Sequence, residues 1–259
     1  MNILDKIIEH KKVEVAARKA VTSLAELEKS PAFTRSVFSL KQSLLDDSKT
    51  GIIAEFKRKS PSKGIINGDA DVVAVTTAYA QHGASGLSVL TDTDFFGGST
   101  EDLVKARVNP IPVLRKEFII DEYQIVEAKA MGADVILLIA ACLTPAEVKR
   151  LATFAQSLQL EVLLELHDEE ELEHVCDETV LVGINNRNLK TFAVDIERSL
   201  AMAQRIPAGK VKIAESGISA VENIRLFRDN GFRGFLIGEN FMKEPNPGLA
   251  FEKFVKALS

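Results

Sequence analysis

The chain predicts an α/β fold, a (β/α)8 TIM barrel with an N-terminal helical extension, on three observations. Eight apolar runs of strand length alternate with stretches of helical periodicity. Several runs are nearly unbroken in Val, Ile and Leu, as at 135–139 and 162–164, the texture of parallel strands buried on both faces. Run after run then stops at a Lys, a Glu, an Asn or a Gly. A doubly wound open sheet shares this local pattern, but its glycine-rich GxGxxG turn does not follow the first strand here.

Residues 1–48 fall outside the repeat. Helical spacing covers 3–20, 23–29 and 33–45, interrupted at Ser30-Pro31. Helices before the first strand either plug the bottom of a barrel or cover its top, and the pattern alone does not choose. The strands follow at 51–57, 86–91, 111–116, 134–140, 160–165, 180–185, 210–215 and 233–238. Helical segments between them include 71–82, 122–131, 145–158 and 219–230. Asp121, Thr144 before Pro145, and Ser219 offer the side-chain oxygen that caps a helix start. Gly83, Gly132 and Gly231 follow helical stretches, where a left-handed termination favours glycine. At 259 residues the chain reads as one domain, 1–259, able to bury one sizeable core.

Hydrophobic content of 46% with 27% charged residues is that of a globular protein, so disorder is not expected. A net charge of -5 excludes nucleic-acid binding through a general basic surface. Against that background the cluster Lys57-Arg58-Lys59 suits a small anion. Acids and bases mix too early in the N-terminus for a secretory signal, and no apolar run approaches the roughly 20 residues that span a bilayer. A soluble, cytoplasmic protein without membrane partners is expected. Cys142 and Cys176 read as reduced thiols. His10, His82, His167 and His174 show no metal-ligand spacing and read as surface or helix residues, so no metal site is expected.

In a (β/α)8 barrel the C-terminal strand ends share one mouth. Glu55 and Lys57 project to one face of the first strand while Phe56 faces the other way. An acid and a base side by side in a strand answer to something polar. Other strand ends add Lys116, Glu165, Asn185 with Arg187, and Glu215-Ser216-Gly217. Each alone reads as a solvated loop residue; together they describe an acid–base site. Strands seven and eight, with an extra helix N-terminus, form the phosphate cradle of this fold. Gly217 and Gly238 permit close backbone approach, a short helix is expected from Glu239 through Met242, and Ser60 adds a hydroxyl. Phe96, Phe118 and Leu137 supply an apolar wall suited to a flat ring.

The segments IIAEFKRKSPSKG, LTDTDFFGGS, VLRKEFIID, VLLELHD, VGINNRNL, IAESGI and FLIGENFMK, in this order, resemble the indole-3-glycerol phosphate synthases. The resemblance covers the barrel and the extension. It implies closure of an indole ring on 1-(2-carboxyphenylamino)-1-deoxyribulose 5-phosphate, with release of CO2 and water. It also implies that Lys116 is the general acid at the carbonyl, Lys57 a second acid during dehydration, Glu165 the base, and Glu55 the residue that positions the lysines and a hydroxyl. Asn185, Arg187, Glu215 and Ser216 match further substrate contacts. Ser60, Gly217, Gly238 and the backbone of Glu239 would hold the phosphate. Glu239 stands where some members have Ser, so its side chain is expected to turn away. No cofactor is implied, because the substrate's own carbonyl receives the electrons. The implied partners are a phosphorylated small molecule bearing an anthranilate ring and other tryptophan-pathway enzymes. Other readings of the same residues are a Schiff-base aldolase using Lys57 or Lys116, a phosphoribosyl isomerase, and a barrel that only binds a phosphorylated ligand or a protein.

Overall fold

The computed structural model describes residues 3–188 and 193–258; Met1, Asn2 and the Leu189 that ends the fifth motif lie outside the described residues. Eight parallel strands close into a barrel: β1 (Ile52–Phe56), β2 (Gly86–Leu90), β3 (Val113–Lys116), β4 (Val135–Ile139), β5 (Glu161–Leu166), β6 (Leu181–Asn185), β7 (Val211–Glu215) and β8 (Phe232–Ile237). Each strand pairs with its neighbours in chain order, and β8 returns to β1. Such ordering follows from repeated right-handed crossovers. Every residue of β1, β2 and β4 is buried, which accounts for their nearly continuous apolar sequences.

The helices are α1 (Ile3–Val21), α2 (Leu24–Leu27), α3 (Leu40–Leu45), α4 (Val72–Gln81), α5 (Thr100–Ala106), α6 (Glu122–Met131), α7 (Pro145–Ser157), α8 (Ile196–Ala203), α9 (Val221–Asp229), α10 (Glu239–Met242) and α11 (Pro247–Leu258). Asp121 and Thr144 cap α6 and α7 in reciprocal boxes with Gln124 and Glu147. Gly132 ends α6 at φ +89°. Ser219, in contrast, is not a cap. The N-cap is Ala220, and Asn223 Oδ1 reaches back to accept from the N–H groups just before the helix, Ser219 at 3.3 Å and Ala220 at 3.1 Å. A 3-10 turn, Glu169–His174, stands where the repeat would put a helix after β5. A two-residue antiparallel ladder, Lys59–Ser60 against Gly64–Ile65, orders the loop that carries Ser60. Among the described residues, no helix is long and apolar enough to cross a membrane.

The extension does both of the jobs open to it. Leu40 and Leu44 of α3 enter the barrel from below and pack with Ile53, Leu114, Leu163 and Ile213. Two glycines make room for this plug. A Cβ at Gly86 would stand 2.8 Å from Leu40 Cδ1, and one at Gly234 would stand 3.1 Å from Leu44 Cδ1. At the opposite end, Ile3, Leu4 and Ile7 of α1 line the cavity in the barrel mouth.

The third extension helix is shorter than its periodicity predicts, and Asp134 supplies the reason. This fully buried carboxylate, just below β4, accepts from the N–H groups of Phe38 and Val113, each at 2.8 Å. The guanidinium groups of Arg35 and Arg107 complete its shell. Four donors use all of its lone-pair sites, so the backbone at 35–38 is diverted from helix to meet it. Leu40→Ala should cost about 2–5 kcal/mol, read from the urea midpoint, as for other large-to-small changes in a packed core. A loss below about 1 kcal/mol would show that the barrel bottom closes without α3.

Candidate active site

A cavity of about 340 Å³ opens at the C-terminal ends of the strands. All the residues assigned from sequence to catalysis, ring contact or phosphate holding line it. The central feature is the ammonium of Lys116, at the end of β3. Its Nζ lies 2.7 Å from Glu165 Oε2 and 2.9 Å from Glu215 Oε2. Glu55 belongs to the same set, so β1, β3, β5 and β7 each send one ionisable side chain inward. Alternate strands fill one layer of a barrel in this way, but here the uppermost layer is ionic. Next to it, Lys57 Nζ lies 2.6 Å from Glu55 Oε1, and Ser88 Oγ donates to Glu55 Oε2 at 3.4 Å.

Glycines clear space for two of these carboxylates. A Cβ at Gly183 would lie 2.1 Å from Glu215 Oε1, and one at Gly238 would lie 2.6 Å from Glu55 Oε1. Gly238 therefore has a steric duty besides the backbone approach expected of it. Gly183, in the middle of β6, carries no sequence signal of such a role.

One ammonium cannot satisfy two buried carboxylates equally, and the surroundings decide between them. Glu165 also receives the Asn185 amide at 2.9 Å and has His167 Nε2 at 2.9 Å. Burial raises the Glu165 carboxyl, yet Lys116 and His167 outweigh it and hold it well below the usual carboxylate range. Glu215 Oε1 has no hydrogen-bond partner among the described residues. There burial prevails over Lys116, with help from the Glu165 charge, and the carboxyl is pushed up to about 7. Burial also pulls Lys116 down, but Glu165, Glu215 and Glu55 together hold it above its ordinary value. The site thus pairs one lysine with two carboxyls of opposite tendency, Glu165 lowered and Glu215 raised.

His167 corrects the expectation of a surface histidine. It is only 4% exposed and lines the cavity, and contact with Glu165 raises its pKa against the opposing effect of burial. It lies two residues after Glu165, so strand parity alone would have placed it on the same face. His174 is buried as well, its ring held between the carbonyls of Glu171 at 3.1 Å and Leu143 at 2.9 Å. Cys142 and Cys176 are free thiols.

The apolar wall is present as expected. The rings of Phe96 and Phe118 lie 5.9 Å apart, tilted by 41°, with Leu137 also facing the cavity. At the other side of the mouth, Ser216 and Gly217 both adopt left-handed backbone, φ +66° and +70°. For Ser216 that conformation is unfavourable. It is held in place by Asn186, a fully buried amide that donates to the Ser216 carbonyl at 2.7 Å. Gly238 leads directly into α10, whose first N–H groups have no partners within the helix. The Glu239 carboxylate stands between two cations, 3.7 Å from Arg187 and 3.6 Å from Lys63.

A sequence model of the family described as indole-3-glycerol phosphate synthase matches residues 4–254. The chain is 47% identical over 258 residues to the indole-3-glycerol phosphate synthase of Bacteroides thetaiotaomicron, with 99% of each chain covered. It is 44% identical over 259 residues to that of Bordetella pertussis, covering 98% of this chain and 99% of the relative. Among solved structures, the tryptophan synthase alpha subunit of Legionella pneumophila is similar, with a TM-score of 0.62 at 13% identity over 86% of this chain and 97% of that one. A chain of the Pyrococcus furiosus tryptophan synthase complex gives 0.58 at 17% identity, over 81% and 98%. At such identities the structural likeness speaks for the fold alone. The full-length match in sequence goes further: this chain belongs to the indole-3-glycerol phosphate synthase family, the carboxy-lyases of tryptophan biosynthesis.

Proposed function

We propose that Lys116 is the acid that starts ring closure on 1-(2-carboxyphenylamino)-1-deoxyribulose 5-phosphate in this chain. The observation that carries the reading is the Lys116 ammonium, fixed between Glu165 and Glu215 in the cavity that Phe96 and Phe118 wall. The ring carbon bearing the carboxylate attacks the ketone carbon, and the carbonyl oxygen takes a proton from Lys116. A fixed ammonium in a dry pocket stabilises such developing oxyanion charge by several kcal/mol. The carboxylate then leaves as CO2, and its bonding electrons restore the benzene ring.

In the dehydration, the ring nitrogen pushes out the new hydroxyl, which leaves as water with a proton from Lys57. Glu165 removes the proton from the neighbouring carbon, and the indole forms. Acid and base are coupled by their contact. Once Lys116 has given up its proton, the charge that depresses Glu165 is gone, and this carboxylate becomes a stronger base. Glu55 orients Lys57. Asn185, Arg187, Glu215 and Ser216 meet the sugar hydroxyls, while Ser60, Gly217, Gly238 and the Glu239 N–H hold the phosphate. Other enzymes of the pathway supply the substrate and take the product.

A Schiff base on Lys116 is disfavoured by the same contacts. A nucleophilic lysine needs a lowered pKa, and that of Lys116 is raised by its carboxylates. Lys116→Ala should lower kcat by about 10²-fold or more, as for loss of a positioned acid, in an assay of indole fluorescence. A near-normal rate would remove Lys116 from the role. The profile of kcat/KM from about pH 5 to about 9 should show an inflection near 7. The rate should rise through it, because the raised Glu215 carboxyl is protonated below that pH and, ionised above it, accepts from the sugar hydroxyl. Glu215→Gln should abolish the inflection; its persistence would transfer it to His167.

A further inference from the structure

The buried stripe of α1 consists of Ile7, Lys11 and Val15, at successive helical turns. A lysine there is unexpected, since burying an unpaired ammonium costs far more than an apolar contact returns. Lys11 is 0% exposed, and its Nζ meets three carboxylates: Glu14 at 2.7 Å, Asp92 at 3.0 Å and Glu117 at 3.0 Å. None of these belongs to the acid–base set around Lys116.

Two of the carboxylates also hold the aromatic wall. Asp92 Oδ1 accepts from the N–H groups of Phe95 at 2.8 Å and Phe96 at 3.1 Å. Glu117 Oε1 accepts from the Phe118 N–H at 2.9 Å, and Glu117 Oε2 accepts from Thr91 Oγ1 at 2.8 Å. Glu117 directly follows Lys116. The loop after β2 and the loop after β3 therefore present buried negative charge to each other, with Phe96 on one and Phe118 on the other. Apart from Lys11, the nearest cation is Arg115, 3.9 Å from Glu117 Oε2. Remove Lys11, and Asp92 loses the one cation paired with it among the described residues, while Glu117 keeps only Arg115.

We propose that Lys11 is a positioning residue for ring closure: from the N-terminal helix it fixes the separation of the Phe96 and Phe118 loops, and with it the slot for the substrate's aromatic ring. It acts through Asp92 and Glu117, never on the reacting atoms. The same ammonium ties the width of that slot to the seating of α1, whose Ile3, Leu4 and Ile7 close the cavity from above. The inference rests on the ring-closing reading for the identity of the ring.

The test compares wild type, Lys11→Met, and Lys11→Met combined with Asp92→Asn. Lys11→Met should lower kcat/KM by about 10²-fold, the scale of loss from a misplaced reacting group. Inhibition by inorganic phosphate, which binds at the other side of the mouth, should change by less than about twofold, since no phosphate contact depends on Lys11. The Asn side chain keeps an oxygen for the Phe95 and Phe96 N–H groups while removing the uncompensated charge. The double variant should therefore recover about tenfold of the loss, and this rescue separates charge balance from simple damage to the fold. Lys11→Met with wild-type kcat/KM, or a double variant no better than the single one, overturns the proposal. A wild-type enzyme that forms no indole product overturns the ring-closing reading first, and this inference with it.

Discussion

An ammonium shared by two buried carboxylates governs the upper half of this barrel. Lys116, Glu165 and Glu215 come from three strands, so their contact is possible only when the cylinder is closed. Burying such charges costs several kcal/mol for each ion unless geometry and hydrogen bonds compensate. The surrounding sequence supplies that compensation unevenly. Glu165 has an amide and an imidazole, whereas one oxygen of Glu215 has no hydrogen-bond partner among the described residues. The inequality separates the two carboxyls in acidity, one lowered and one raised within the same pocket.

Among the ionic ties that join the extension to the barrel, two centre on a fully buried charge, one at each end. Below, Asp134 gathers Arg35, Arg107 and two backbone N–H groups. Above, Lys11 gathers Asp92 and Glu117. Between them α3 contributes apolar volume and α1 contributes cover, so the two parts of the extension follow different physics. Apolar packing tolerates small shifts, but a hydrogen-bonded ion does not. Placement near the chemistry is therefore set by charge, and filling of the base by leucine.

The barrel was legible because its strands are buried on both faces and cannot alternate, so their apolar runs stand out from the helices. The polar strand ends were legible for the converse reason: Glu55, Lys116, Glu165 and Glu215 interrupt those runs where only a functional mouth tolerates charge. What escaped depends on contacts far apart in sequence. Gly183 matters only because Glu215 arrives beside it, and Asn186 only because Ser216 is strained. His167 was within reach through parity, but a lone histidine carries little weight without its partner. The helix periodicity at 33–39 was real and lost to tertiary demand, since Asp134 claims the Phe38 N–H. Ser219 failed as a cap because the cap position falls one residue later, at Ala220, with Asn223 holding the Ser219 and Ala220 N–H groups.

The plug carries a consequence for how the molecule assembles. Leu40 and Leu44 are synthesised before any strand, yet Leu44 seats against Gly234, on the last strand to be made. Leu40 can meet the early strands at Ile53 and Gly86, but the contact of Leu44 with Gly234 needs nearly the entire polypeptide. Contacts so remote in sequence slow a search, because loop closure precedes the reward of burial. The seat of Leu44 is therefore completed late, when the final strand closes the cylinder.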